Sequence, residues 1–160
     1  MRFLFSLIFC SLLVACSSEP GSEWSELDLT GHRIAVTIIA PDSAKVASGS
    51  LSGIMQDVTI KSPQDNYSVQ VLGSRATTND MAKLKAEQLD LVRSNPYYEQ
   101  IISEEPNGFI YENMIDTTAI YGFRYIIYQG DQEFVFQNGL EGTFGLQAIE
   151  AMYAAVKQEK

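Results

Sequence analysis

Residues 120–137 read Ile120-Tyr121-Gly122-Phe123-Arg124-Tyr125-Ile126-Ile127-Tyr128-Gln129-Gly130-Asp131-Gln132-Glu133-Phe134-Val135-Phe136-Gln137, and this stretch decides the fold class. Two runs rich in aromatic and β-branched residues flank Gly130-Asp131, a linker of the kind that closes a tight antiparallel hairpin. Side chains alternate along a strand. Tyr121, Phe123, Tyr125 and Ile127 therefore share one face, with Ile120, Ile126 and Tyr128 on the other. A strand apolar on both faces is central and covered twice. Its neighbours are antiparallel, because parallel strands need a long crossover between them.

Upstream, Tyr98–Glu104 and Phe109–Ile115 flank Glu105-Pro106-Asn107-Gly108, a second hairpin turn. Before them, Met81 to Arg93 contains no Gly or Pro and follows Thr77-Thr78-Asn79-Asp80, a helix N-cap signal. Met81, Leu84 and Leu91 share a face flanked by Val92, and Asn95-Pro96 ends the helix. Downstream, Leu146, Ile149, Met152, Tyr153 and Val156 form one stripe of a helix over 146–157. Nearer the N-terminus, Ile34, Val36 and Ile38 mark a strand over 33–40. Residues 42–53, rich in Ser, Ala and Gly, read as a loop. Val58 and Ile60, then Tyr67, Val69 and Val71, mark two strands joined by the turn Ser62-Pro63-Gln64-Asp65-Asn66. The expected architecture is α+β: an antiparallel sheet of about six strands in the order β-β-β-α-β-β-β-α, with the two helices packed on it, in one domain over 30–160.

The first residues carry a different message. Arg2 precedes an apolar run from Phe3 to Ala15, closing in Leu13-Val14-Ala15-Cys16. The run falls short of the roughly 20 residues that span a bilayer. It reads as a lipoprotein signal peptide, residues 1–15, whose small residues beside the cut admit a peptidase once the Cys16 thiol has accepted a diacylglyceryl group. One acyl chain anchors only marginally, so two, with a third on the amine, are expected to hold the mature chain in a membrane. Residues 16–29 then form the lipidated cysteine and a flexible tether containing Pro20 and Gly21. Trp24 is expected to dock the end of that tether on the domain. Ser17, rather than Asp, after the cysteine fits sorting to the outer membrane, facing the periplasm, in a Gram-negative host.

Composition narrows the function. The net charge is −9, and loss of Arg2 with the signal takes it near −10. Phosphate backbones repel such a surface, which excludes a nucleic-acid partner. Cys10 leaves with the signal and Cys16 takes the lipid, so no thiol remains for a disulfide, a zinc site or a nucleophile.

The order of elements, with Asp57-Val58-Thr59-Ile60, Tyr67-Ser68-Val69-Gln70-Val71, Gly108-Phe109-Ile110-Tyr111 and Leu146 through Val156, resembles the PsbP/Mog1-like fold. That fold also occurs in small bacterial lipoproteins. A cystatin-like α+β sheet shares nearly the same string of elements. The PsbP/Mog1 resemblance implies an accessory role, since members are mostly binding or assembly factors, and it carries no catalytic motif onto this chain.

Individual residues point the same way. His32, the single histidine, stands at a strand entrance with no cysteine to share a metal or a triad, and reads as an edge residue. Gly49-Ser50-Leu51-Ser52-Gly53 has Leu51 where a nucleophile elbow needs serine. Gly139 through Gly145 misses the dinucleotide and P-loop spacings. Asp65-Asn66 and Asp131 lack the alternating oxygens of a calcium loop. Glu104-Glu105, with Glu99, Glu112 and Asp116, raises a two-carboxylate hydrolase as an alternative, but adjacent acids beside a turn read as solvated charge. Six tyrosines and five phenylalanines lie between Tyr97 and Phe144; most suit a core, with Tyr97-Tyr98 the expected exposed pair. The expectation is therefore a membrane-anchored, non-enzymatic binding or assembly module of the cell envelope. It has Cys16 as its lipid attachment site, an envelope protein as partner, and neither cofactor nor metal. A tethered carboxylate-dependent hydrolase and an immunity or inhibitor protein are the alternatives.

Overall fold

A computed structural model describes residues 24–51 and 54–157. The signal peptide, Cys16 and residues 17–23 lie outside the described residues. The chain is α+β: β1 (Trp24–Asp28), β2 (Thr37–Pro41), β3 (Lys45–Leu51), β4 (Met55–Ser62), β5 (Tyr67–Arg75), α1 (Met81–Arg93), β6 (Tyr98–Glu105), β7 (Gly108–Ile115), β8 (Thr118–Gln129), β9 (Gln132–Asn138) and α2 (Leu146–Val156). Among the described residues, β1 and β2 form a two-stranded sheet. The other strands form an antiparallel seven-stranded sheet ordered β3-β4-β5-β9-β8-β7-β6.

The β8–β9 hairpin forms as its turn residues dictate. Gly130 and Asp131 both have positive φ, at 58° and 67°, the twist that matches a two-residue hairpin. β8 lies inside the sheet with a helix on each side. Phe123 and Tyr125 pack with Ile149, Met152 and Tyr153 of α2. Ile126, with Val135 of β9, packs against Leu84 of α1. Within β8, Gly122 leaves room for the ring of Tyr111, its partner on β7; a Cβ there would lie 2.5 Å from Tyr111 Cζ.

Several expectations need correction. The tether stops short of 29, because Trp24–Asp28 is a strand and Leu29 is fully buried. Trp24 stacks edge-on against Tyr67, with ring centroids 5.0 Å apart, which is the docking expected of it. The loop expected over 42–53 contains β3. Its Ser, Ala and Gly residues hide the apolar alternation that usually marks a strand, yet it pairs with β4 from Lys45↔Lys61 to Leu51↔Met55. The sheet count rises accordingly above six. Leu91 is 60% exposed, while Leu89 and Val92 are buried. The buried stripe of α1 turns as the helix crosses the sheet, from Leu84 over β8–β9 to Leu89 and Val92 over Phe109 and Tyr111 of β7.

On the α1 side of the sheet, β9, β5 and β4 carry a polar row. Gln137 Nε2 donates to Gln70 Oε1 at 2.7 Å, and Gln70 Nε2 donates to Asp57 Oδ1 at 2.9 Å. Both glutamines are buried, and these bonds offset part of the cost of removing their amides from water.

Candidate functional site

The register of the sheet assembles a cleft at the far end of β3–β4–β5. Ser48 pairs with Val58 and Ser50 with Gln56. Val58 pairs in turn with Val71, Gln56 with Gly73, and Arg75 with Gln132. Side chains at paired positions project to the same face. Ser48, Ser50, Gln56 and Arg75 thus share the α2 side with core residues Val58, Val71 and Phe134. Between β1 and β2 the chain makes a turn of 3-10 helix over Thr30–His32, ending in Arg33 with φ 64°. That left-handed conformation costs a non-glycine residue about 1 kcal/mol. Gly31, His32 and Arg33 of this turn, with the sheet residues above, line a cleft of about 530 Å³.

The chemistry of the lining is one-sided. Arg33 and Arg75 supply charge, His32 an imidazole, Ser48 and Ser50 hydroxyls, and Gln56 and Gln132 amides; among the described residues no carboxylate lines it. In a chain of net charge −9 this segregation is notable. Among the described residues neither arginine makes an ion pair. His32 Nδ1 and the Ser48 hydroxyl share a 2.6 Å hydrogen bond, which ties the turn to β3. Gln56 Oε1 is buried and has no hydrogen-bond partner among the described residues. It lies where a side chain on Gly73 would intrude, 3.2 Å from the Cβ position. Guanidinium forks, hydroxyls and an amide converging on one hollow are the donor set for a carboxylate or phosphate.

The carboxylates raised from sequence do not converge. Glu104 and Glu105 are successive residues of β6 and point to opposite faces. Lys85 of α1 donates to Glu104 at 2.9 Å, whereas Lys157 donates to Glu105 at 2.5 Å and the Tyr153 hydroxyl donates to it at 3.4 Å. Glu112 accepts from Gln100 at 2.6 Å. The Lys85 ammonium holds the Glu104 carboxyl below its usual range, first through the hydrogen bond and then through its charge. Burial and the adjacent Glu105 charge push the Tyr153 hydroxyl up. Asp65 is held low by hydroxyls of Ser43 and Ser62, a cluster that stitches two turns together. Asp131 sits in the β8–β9 turn. Among the described residues no three His, Cys, Asp or Glu side chains are placed to hold a metal.

Other candidates resolve into structure. Gly139 through Gly145 links β9 to α2; Phe144 packs in the core and Glu141 pairs with Lys61. Gly49 and Ser50 belong to β3, while Ser52 and Gly53 lie outside the described residues. Tyr97 is exposed and Tyr98 half-buried against β7 residues. Arg124 is turned to another use: its guanidinium lies 5.7 Å from the Tyr111 ring centroid and donates to the Phe123 carbonyl at 3.1 Å.

Of the cleft residues, His32 stands out in the sequence as a lone imidazole, and Gly49 and Ser50 only as part of a failed nucleophile-elbow pattern. Arg33 and Arg75 carry no motif, being brought together only by the turn and the β5 register. Among the described residues no helix is long and apolar enough to cross a membrane. Comparison with protein-family models, with curated proteins and with solved structures finds no match to this chain.

Proposed function

We propose that this chain is a lipid-anchored binding module of the bacterial envelope, whose cationic cleft receives an anionic group of its partner. The single observation that carries the site is the lining of that cleft: among the described residues, two arginines without ion pairs, the histidine, the hydroxyls of Ser48 and Ser50, and no acid, in an otherwise acidic chain. The anchor rests on Leu13-Val14-Ala15-Cys16 at the end of an apolar run. Confinement by lipid raises the effective concentration of the domain toward other envelope components, so a modest site suffices. An accessory role agrees with the PsbP/Mog1-like resemblance. The scattered carboxylates lend no support to the hydrolase alternative, and a cationic cleft does not suit an inhibitor whose acidic surface would meet a basic target.

The test is capture from native membranes by the full lipidated chain, beside Cys16→Ser and Arg75→Glu variants. One envelope protein should be enriched by the natural chain and lost with Arg75→Glu. Equal capture by both would refute the cleft, and a bare Cys16 thiol in the mass spectrum would refute the anchor.

A further inference from the structure

The outer side of β3 extends this reading. Among the described residues β3 pairs with β4 alone, so its other edge offers backbone N–H and C=O groups to an incoming strand. Past Lys45 the strand favours pairing: the ladder with β4 runs without a bulge, and Ala47, Ser48, Gly49 and Ser50 are small. Hollows flank it on both faces. Ser48 and Ser50 border the cationic cleft. On the opposite face, Lys45 and Ala47 border a second hollow of about 510 Å³, shared with Thr59 and Pro63. Lys45, like Arg33 and Arg75, makes no ion pair among the described residues.

We infer that β3 is a docking strand for an extended, acidic segment of a partner polypeptide. The segment adds to the sheet edge and sends alternate side chains into the two hollows. This rests on the proposal that the cleft receives an anionic group, and it names the group as a carboxylate carried on a strand. Main-chain pairing supplies affinity in such docking and the pockets for alternate side chains supply specificity. At about 3.3 Å per residue, an edge as long as β3 takes a segment of about seven residues. Charge complementarity selects an acidic occupant. It disfavours a second copy of this chain, which has the same net charge of −9 and would set Lys45, Arg33 and Arg75 of both copies along one seam.

The experiment is fluorescence anisotropy on the full lipidated chain in detergent micelles. The probe is an eight-residue peptide alternating glutamate and valine, blocked at both ends. Its comparators replace glutamate by lysine, or carry N-methyl groups on every second residue in either register. The glutamate peptide should bind at least about tenfold more tightly than the lysine peptide, Arg75→Ala should weaken it by about tenfold, and one N-methyl register should abolish it. Amide exchange should slow in β3 on binding. If both N-methylated peptides bind as well as the parent while Arg75→Ala still weakens them, strand addition is wrong and the cleft reading survives. If Arg75→Ala changes nothing, the cleft reading fails first. Peptide binding only after deletion of residues 17–23, or a dimer with β3 protected, would assign the edge to this chain itself and overturn the proposal.

Discussion

The two edges of the seven-stranded sheet are built on opposite plans. β6 is irregular and braced. Its pairing with β7 shifts register between Tyr98 and Gln100 and again between Ile101 and Ser103. It carries Glu99, Glu104 and Glu105, and lysines from different helical neighbourhoods clamp it: Lys85 also donates to the Glu105 carbonyl at 2.9 Å, while Lys157 reaches the Glu105 carboxylate. Bulges and charges are how sheets prevent unwanted pairing. β3 is regular, small in side chain and held at its middle by His32 on Ser48. Among the described residues one edge is closed to other strands and the other is left open, the edge at which the proposed partner segment would dock.

That contrast can be strained by substitution, starting where the effect is greatest. Phe123→Ala removes a fully buried ring that packs edge-on to Tyr153 in the interior of the sheet. It should cost about 4 kcal/mol in urea denaturation. Val46→Ala, at a half-buried position of β3, which is otherwise exposed over 45–50, should cost about 1 kcal/mol. Equal losses would mean that the β3 edge is packed as tightly as the interior of the sheet. Asp80→Ala comes next. Its side chain accepts from the amides of Ala82 and Lys83 at the start of α1, and its loss should cost about 1 kcal/mol. Faster amide exchange should then appear in β6 and β7 but not in β3.

The smallest effects concern pH, and two glutamates should behave oppositely. Glu104 has its carboxyl held low by Lys85, so its contribution is present above the ordinary carboxyl range and fades as pH falls. Glu104→Gln should lower the melting temperature slightly at neutral pH and not in acid. Glu133 is buried, with Oε1 unpartnered among the described residues; burial, then the charge of Glu87, raises its pKa. Its neutral form suits the fold, so its contribution is present in acid and is lost as pH rises. Glu133→Gln should therefore raise the melting temperature at neutral pH, with the gain vanishing below the carboxyl range. A gain that persisted in acid would mean that charge is not the cause.

The same division governs what could be read from residues alone. The helices, the β8–β9 hairpin and the double cover of β8 follow from periodicity and turn chemistry, which are local. β1 and β3 escape that reading. Trp24-Ser25-Glu26-Leu27-Asp28 and Lys45-Val46-Ala47-Ser48-Gly49-Ser50 have few apolar side chains, and become strands because a neighbour offers backbone partners. Leu91 misleads because a heptad spacing places it with Leu84, whereas α1 crosses the sheet obliquely. The cleft was the least legible part. His32 is visible as a lone imidazole, but its meaning depends on Arg33 and Arg75, whose meeting is a property of register rather than of any contiguous motif.

β5 also sets a distance. Tyr67, under Trp24, opens that strand and Arg75 closes it, which separates the two ends by about 26 Å. Residues 17–23 can add at most ~25 Å when stretched. With Cys16 acylated as proposed, the anchor would join the fold at the Trp24 end of β5, and Arg75 stands at the other. A tether of that reach, added to the span of β5, would let the cleft stand up to about 50 Å from the acylated cysteine, within reach of a ligand on the aqueous side.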